Sequence, residues 1–290
     1  MKKLLIKFWE PLLAVFFWGN SFIATKIALK ELDPQTIILL RLLLGSAFLI
    51  VIAIYNKKDF SLNFKSHGAI FILALIAVFH LWIQITGLKF TSAVNTGWIV
   101  GTSPVFIAVL SAVVFKEKFF KTKIAGILVA FTGLILLVSK GDISSLSFIS
   151  HKGDLLILTS AFTWGVYSMV NKKITLDYSP TMTILFLFIM MAIIIAPFTV
   201  SSKSISVVEH LSFGGWTSIF FLGIFCSGIS YVLWANSLKK LEASKTGVFL
   251  YFEPFITAVS AWLILDEKVT GMVIMSGIII TGGVILVNKK

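Results

Sequence analysis

The chain has 290 residues, of which 58% are hydrophobic and only 13% are charged, and its mean hydropathy is +0.98. An ordinary soluble domain carries about a quarter charged residues, so this composition excludes water as the main solvent. The net charge of +12 does not indicate nucleic-acid binding, because the basic residues lie in short segments between apolar runs. We therefore expect an integral membrane protein.

Apolar runs recur along the whole chain, and each is long enough to be considered as a membrane-spanning helix. About 20 apolar residues cross a hydrocarbon core of about 30 Å, and the shorter runs reach that length when flanking Lys and Glu side chains extend outward. The runs do not alternate between apolar and polar residues, which argues against β-barrel strands. The ten predicted spans contain the apolar runs 11–25, 42–56, 68–88, 90–115, 124–139, 155–171, 178–202, 211–238, 246–265 and 269–288, and the second span begins before its run, so that it includes Arg41.

The lysines are divided unequally between the two sides of these predicted spans. If the N-terminus is cytoplasmic, 17 lysines lie on the cytoplasmic side and 7 on the opposite side. Cytoplasmic loops of membrane proteins carry an excess of Lys and Arg. The sequence therefore predicts a multi-pass protein of the cell membrane with both termini in the cytoplasm.

The chain also repeats itself. A shift of 146 positions aligns Trp18 with Trp164, and a shift of 150 positions aligns Pro104 with Pro254. Each half would hold five spans, an odd number, so the second half must enter the membrane from the opposite side. Such inverted repeats are typical of secondary transporters, which bind substrate near the membrane midplane between the repeats.

The repeat predicts a first five-helix unit at residues 1–140, a connecting loop at 141–152 and a second five-helix unit at 153–290. The expected fold class is an all-α integral membrane protein. Its ten transmembrane helices would form two inverted five-helix repeats.

Several short motifs follow one another in the order that a known transporter family has them. They are Trp18-Gly19 in the first span, Arg41-Leu-Leu-Leu in the second, Pro104 to Glu117, and Glu253-Pro254 to Glu267. With these motifs the chain resembles the EamA-type members of the drug/metabolite transporter superfamily, from about Trp9 to Val287. The resemblance implies ten helices and the movement of small metabolites or amino acids, often outward, without fixing the substrate.

Motifs of common enzyme classes are absent from the sequence. Its four histidines, at positions 67, 80, 151 and 210, stand far apart, and no pair flanks a Glu on one helical turn as in a metalloprotease. There is no phosphate-binding loop and no Gly-x-Ser-x-Gly nucleophile motif. We therefore expect no enzymatic activity, no cofactor and no metal site.

The predicted function is that of a secondary transporter, and more narrowly an exporter. It would move small metabolites or amino acids across the cytoplasmic membrane by alternating access, with proton coupling left open. A channel or a membrane receptor with the same ten-helix fold is the alternative, because fold alone does not fix mechanism. The expected partners are a small-molecule substrate and the lipid bilayer, not nucleic acid, and the sequence leaves a homo-oligomer open.

Two ionisable residues inside predicted spans are the main candidates for substrate binding or coupling. Glu253 and Arg41 have no ionisable counterpart in the other half, and charged groups at membrane depth usually mark functional sites. Arg41 would recognise an anionic group or hold a gate, or else merely reach the membrane surface or pair with Asp33 or Glu31. Glu253 would bind a proton or a substrate amine, or else only hydrogen-bond a neighbouring helix.

Polar and aromatic residues inside the spans are further candidates, which either contact the substrate or face lipid and neighbouring helices. They are Trp18, Asn20, His80, Gln84, Trp98, Trp164, Tyr167, Tyr231, Trp234 and Tyr251. Pro104 and Pro254 lie near the middle of their spans, where each removes one backbone hydrogen bond and predicts a hinge or a static kink. Glu117, at the end of a span beside lysines, is expected to cap a helix or to form a local ion pair.

Overall fold

The computed structural model describes residues 2–60, 64–139, 152–175, 179–265 and 271–288, and every regular element in them is helical. The helices are α1 (Lys2–Ala28), α2 (Pro34–Tyr55), α3 (Phe64–Phe90), α4 (Ala93–Val100), α5 (Ser103–Phe115), α6 (Lys121–Ser139), α7 (Lys152–Thr175), α8 (Pro180–Ile195), α9 (Ser202–Glu209), α10 (Phe213–Phe220), α11 (Ser230–Lys240), α12 (Ala243–Gly247), α13 (Phe252–Leu265) and α14 (Gly271–Asn288). A π-helical segment, Phe221–Ile229, joins α10 to α11. Glu267 and the predicted connecting loop, apart from Lys152, lie outside the described residues.

Seven helices within the described ranges are long and apolar enough to cross a membrane. They cover Phe8–Ala28, Pro34–Tyr55, Gly68–Phe90, Ala93–Phe115, Pro180–Phe198, Phe213–Lys240 and Ala243–Ile264, and a shorter apolar helix covers Ile274–Asn288. The prediction of an all-helical, multi-pass membrane protein is thus confirmed. The count of ten spans stays a prediction.

The start of α2 is fixed by its sequence. Asp33 is the N-cap, and its Oδ1 accepts a hydrogen bond from the Thr36 backbone N–H at 2.9 Å. Pro34 occupies the first helical position, where a missing N–H leaves no hydrogen bond unmade. This start places Arg41 about two turns into the helix, at a buried position.

Two of the predicted spans are interrupted rather than merely kinked. Residues Ala93–Phe115 divide into α4 and α5 at positions 101 and 102, and a 3₁₀ segment, Val248–Tyr251, separates α12 from α13. Pro104 and Pro254 lie in the first turn of α5 and α13, where a helix has unpaired N–H groups in any case. Both prolines therefore start a new helical segment.

The two parts of the chain pack against each other in matching pairs. α2 packs against α8, and α6 packs along α14. α1 lies against α11 and α13, while α7 lies against α3 and α5. A Cβ atom at Gly283 would come within 2.6 Å of the Gly126 carbonyl oxygen, so α14 can approach α6 this closely only with glycine.

Candidate functional site

A cavity with a volume of about 440 Å³, including its open part, lies where the two discontinuous helices are interrupted. The sequence-predicted candidates that line it are Trp18, Arg41, His80, Gln84, Trp164, Tyr231 and Glu253. The remaining lining residues are Ser21, Phe22, Leu81, Val100, Ser103, Ala161 and Leu250. The structure thus brings the two intramembrane charges and most of the polar candidates together in one place.

Five of the candidates do not line the cavity. Tyr167, Trp234 and Tyr251 are completely buried next to it, and Trp98 is half-buried elsewhere in the bundle. The Asn20 side chain donates to the Phe16 carbonyl of its own helix at 2.8 Å. Pro104 and Pro254 border the helix interruptions without lining the cavity.

Ser103 and Ser21 line the cavity although we did not select them from the sequence. The sequence repeat could have indicated Ser103, because it lies 150 positions before Glu253 and borders the matching helix interruption in the first half. Ser21 follows Trp18 by three positions, which puts both on one face of α1.

Aromatic rings form one wall of the cavity. The Trp18 and Trp164 rings meet edge to face at 5.0 Å, and Tyr231 lies 5.6 Å from Trp18 and 5.7 Å from Trp164. The Trp18 indole N–H donates to the Cys226 carbonyl at 2.9 Å, in the π-helical segment. Such segments are frequent at functional sites, because the altered pairing frees backbone carbonyls. The hydrogen bond holds the Trp18 ring in a fixed orientation.

Glu253 lies at the start of α13 and is 3% exposed. Its Oε2 atom has no hydrogen-bond partner among the described residues. The backbone around it is well fixed, since the Thr257 hydroxyl contacts both the Glu253 and Gly19 carbonyl oxygens at 2.8 Å. A Cβ at Gly19 would lie 2.8 Å from the Ile256 side chain, so glycine is what allows α1 to pack here. A firmly held backbone therefore presents an unpartnered carboxylate oxygen at the cavity.

Arg41 supplies the opposite charge and is 4% exposed. Its Nε donates to the Ser227 hydroxyl at 2.9 Å, which uses one of the five N–H donors of the guanidinium group. Within the described residues, neither Arg41 nor Glu253 belongs to an ion pair. The cavity thus contains a buried guanidinium group and a buried carboxyl group that do not form an ion pair with each other.

His80 contributes a ring whose tautomer follows from its contacts. Its Nδ1 lies 3.0 Å from the Ser160 carbonyl oxygen and 3.2 Å from the Thr163 hydroxyl. A carbonyl can only accept, so Nδ1 carries a proton and, in the neutral ring, Nε2 is the acceptor. The ring centroid is 5.2 Å from that of Trp164. His80 therefore adds a hydrogen-bonding edge to the aromatic wall.

Three buried polar atoms at this cavity have no hydrogen-bond partner in the described part of the chain: Ser103 Oγ, Trp164 Nε1 and Glu253 Oε2. Leaving a buried polar group unpaired costs about 1–3 kcal/mol, and more when it is charged. Natural proteins keep few such groups, and a cluster of them in one cavity indicates a place for a polar ligand. A polar cavity at interrupted membrane helices is the arrangement found in secondary transporters.

The comparison with known proteins agrees with this class. Residues 8–139 and again residues 151–289 match the EamA-like transporter family. The chain therefore belongs to the EamA-like transporter family, within the drug/metabolite transporter superfamily. The predicted family is confirmed, and since the family and its relatives are transporters, so is the expectation that the protein is not an enzyme.

Individual relatives cover nearly the whole chain. An Archaeoglobus fulgidus protein named "Uncharacterized transporter" is 32% identical over 281 residues, which is 96% of each chain. An Escherichia coli protein named "Probable amino-acid metabolite efflux pump" is 27% identical over 288 residues, or 94% of this chain and 91% of that one. A solved crystal structure with 18% identity has a TM-score of 0.75 over 96% of this chain and 94% of the other, so the two share a fold.

Proposed function

We propose that the protein is a secondary transporter that exports small zwitterionic metabolites, amino acids among them, by alternating access. The observation that carries this proposal is that Arg41 and Glu253 line the same cavity but do not form an ion pair with each other. A zwitterion supplies both missing counter-charges. Its carboxylate would bind the Arg41 guanidinium, and its ammonium group would bind the Glu253 carboxylate.

Arg41 and Glu253 place two ionisable groups at membrane depth. Each costs about 3 kcal/mol on the insertion scale, so an arrangement that keeps both without pairing them needs a purpose. Arg41 and Glu253 come from α2 and α13, elements that are distant in sequence and meet only in the folded bundle. A bound zwitterion would neutralise both at once, whereas a neutral ligand would leave both costs in place. This difference in binding energy would favour zwitterions.

The aromatic wall fits the remainder of such a ligand. Trp18, Trp164 and Tyr231 present apolar faces beside the two charges, and aromatic faces also attract cations. The side chain of an amino acid would therefore lie against rings while its charged groups reach Arg41 and Glu253. The name of the Escherichia coli relative, an amino-acid metabolite efflux pump, supports the same substrate class and the outward direction.

The proposed architecture is two inverted five-helix repeats, residues 1–140 and 153–290 joined by 141–152, with ten spans in all. The matching helix pairs support it, since α2 with α8 and α6 with α14 are equivalent positions of the two halves. The interruptions in the fourth helix of each half, at α4–α5 and at α12–α13, support it as well. In inverted-repeat transporters, interrupted helices mark the binding site.

Glu253 would also couple transport to protons. A carboxylate with no cation partner in an apolar site binds a proton readily, and substrate ammonium and proton would compete for the same oxygen atoms. One state of the cycle would then carry the substrate and the other the proton. Such exchange would make export depend on the proton gradient.

The test is counterflow with the purified full-length chain in proteoliposomes. Vesicles loaded with an unlabelled amino acid should take up the labelled one transiently above its outside concentration, because a carrier exchanges the two. A panel of zwitterionic amino acids would be compared with amines and carboxylic acids of the same size. Current without counterflow would identify a channel and contradict the proposal, and equal counterflow of the singly charged analogues would contradict the zwitterion site.

The proposed location is the cell membrane, with both termini in the cytoplasm. A reporter that is active only in the cytoplasm should work when fused after Lys58, Lys123 or Lys240, and it should fail after Lys203, because the lysine excess lies on the first side. Activity after Lys203 would contradict both the orientation and the inverted arrangement.

A further inference from the structure

A cluster of charged residues joins the two parts of the chain at the end of the bundle where α1 begins, which we call the amino-terminal face. Lys123 Nζ donates to Glu242 Oε2 at 2.6 Å and lies 3.4 Å from Glu117 Oε2. Glu117 in turn accepts a hydrogen bond from the Ala243 backbone N–H at 2.6 Å, and it also bonds the Ser244 hydroxyl. Residues more than a hundred positions apart are thereby connected.

The cluster is largely shielded from solvent. The side chains of Lys123 and Glu117 are 4% and 6% exposed, while that of Glu242 is 43% exposed. Partial burial works to raise the pKa of the Glu242 carboxyl, but the hydrogen bonds and charges of Lys123 and Lys245 outweigh it and hold that pKa below its ordinary value. The Glu242 carboxyl is therefore ionised at neutral pH, and removing one member of the cluster takes a partner away from another buried side chain.

A second ion pair ties the same face. Lys240, at the end of α11, donates to both carboxylate oxygens of Glu10 in α1 at 2.8 Å. This ion pair again links the first part of the chain to the second, and its Lys240 lies just before Glu242 in the sequence. The two connections lie at the same end of the bundle because Lys240 and Glu242 are two positions apart.

Between this face and the cavity lies a layer of completely buried aromatic residues. Tyr167 is one helical turn beyond Trp164, Trp234 is one turn beyond Tyr231, and Tyr251 precedes Glu253. The ring of Tyr167 stacks on that of Trp164 at 4.8 Å. These buried rings therefore separate the cavity from the amino-terminal face in the described part of the chain.

We propose that Glu10, Glu117, Lys123, Lys240 and Glu242 form a latch that keeps the amino-terminal face closed and must separate for the cavity to open there. This inference rests on the proposed function, since alternating access requires each face to open in turn. The contacts of Lys123 with Glu242, of Lys240 with Glu10 and of Glu117 with the Ala243 N–H connect the two parts of the chain that would move relative to each other, and the Lys123–Glu117 contact lies within the first part. In the inward-open state, the charges would be exposed to water, which offsets part of the lost pairing.

The test measures access to the aromatic layer, independently of transport. Ser168 is fully buried and accepts a hydrogen bond from the Trp234 indole N–H at 3.3 Å, so Ser168→Cys places a small probe in this layer. The single native cysteine, Cys226, is replaced by Ser. Sealed vesicles of both orientations are treated with a membrane-impermeant maleimide without substrate, and the labelling rate is compared from each side.

With the latch intact, labelling from the amino-terminal face should be slow. Glu117→Gln should raise it about tenfold or more, because a buried pair is broken, and Glu242→Gln should raise it about two- to fivefold. Labelling from the opposite face should not rise. The matched control is Glu31→Gln, which removes a comparable carboxylate cap on the opposite face and should leave the rate unchanged.

Unfolding is monitored by a second probe, Ser276→Cys, which lies buried in α14 away from the cavity. If the Ser276→Cys probe also becomes reactive in Glu117→Gln, that variant has partly unfolded. The test then relies on Glu242→Gln, in which Lys123 keeps its contact with Glu117. The latch would be overturned if the latch variants leave the labelling rate of Ser168→Cys unchanged while Ser276→Cys stays protected. It would also be overturned if Glu31→Gln raises the labelling rate of Ser168→Cys as much as the latch variants do. Counterflow of the same protein remains a separate result, so a failed latch and a failed transporter assignment are distinguishable.

Discussion

A glutamate from the first part of the chain caps a helix of the second part at each end of the bundle, yet the two caps differ in their surroundings. Glu117 bonds the Ala243 N–H and the Ser244 hydroxyl and is almost completely buried beside Lys123. Glu31 accepts from the Ser212 N–H at 2.9 Å and from its hydroxyl at 2.6 Å, in an exposed position. The same hydrogen-bonding chemistry thus belongs to a closed network at one end and to a solvated contact at the other.

This difference indicates that the contacts of the two caps do not resist separation equally. At the amino-terminal face, Lys123 and Glu117 are buried next to each other, whereas the opposite face has the exposed Glu31 cap and a hydrogen bond from Asn95 to the buried Asp154 at 2.6 Å. Separating the Glu31 contact requires only a solvated carboxylate to exchange partners with water, which costs little. The Glu31 contact should therefore separate more readily than the Glu117 contact.

The largest expected effect comes from removing the two caps one at a time. Glu117→Ala should lower the free energy of unfolding by about 3–5 kcal/mol, because the Ala243 N–H and the Ser244 hydroxyl lose their acceptor and the buried Lys123 keeps only the partly exposed Glu242. Glu31→Ala should change it far less. Thermal unfolding of the purified variants in one detergent measures both, and equal losses would mean that burial does not distinguish the two caps.

The cavity between the faces offers the next test. Glu253→Gln keeps size and hydrogen bonding but removes the charge, so it should abolish gradient-driven accumulation, and amino-acid affinity should fall about tenfold or more if the carboxylate binds the ammonium group. Its effect on unfolding should be small or stabilising, since a buried charge is lost. Wild-type affinity together with an unchanged response to an imposed pH gradient would remove Glu253 from the site.

Arg41→Lys is expected to have a smaller effect, because the charge is kept. Lysine cannot reproduce the planar guanidinium fork or the bond from Nε to Ser227, so affinity for a carboxylate-containing substrate should fall severalfold. Affinity for an amine without a carboxylate should stay the same. Equal affinities of Arg41→Lys and wild type for amino acids, at equal expression, would show that the guanidinium does not recognise the carboxylate.

Hydropathy and the repeat were enough to predict the membrane class, the positions of most helices and the main charged candidates. The interruptions at positions 101–102 and 248–251 were expected only as hinges or static kinks, since a proline reports one missing hydrogen bond and not how the preceding turn rearranges. The partners of Glu117 were not predictable beyond a cap or a local pair. Its bond to Ala243 spans 126 positions and exists only once the two parts of the chain have packed.

The smallest expected effect is a pH dependence at the exposed cap. Hydrogen bonds from the Ser212 hydroxyl and backbone N–H stabilise the Glu31 carboxylate and lower its pKa below the ordinary value of 4.5. A lowered pKa in the folded state means that the stabilising contribution is present above about pH 4.5 and is lost as the pH falls through the lowered pKa. Glu31→Gln has no proton to bind, and it resembles the protonated glutamic acid in size and charge. The melting temperature of the wild type should therefore exceed that of Glu31→Gln slightly at neutral pH, and the difference should shrink towards zero on acidification. A constant difference across this range would mean that the Glu31 charge does not contribute to holding the exposed face.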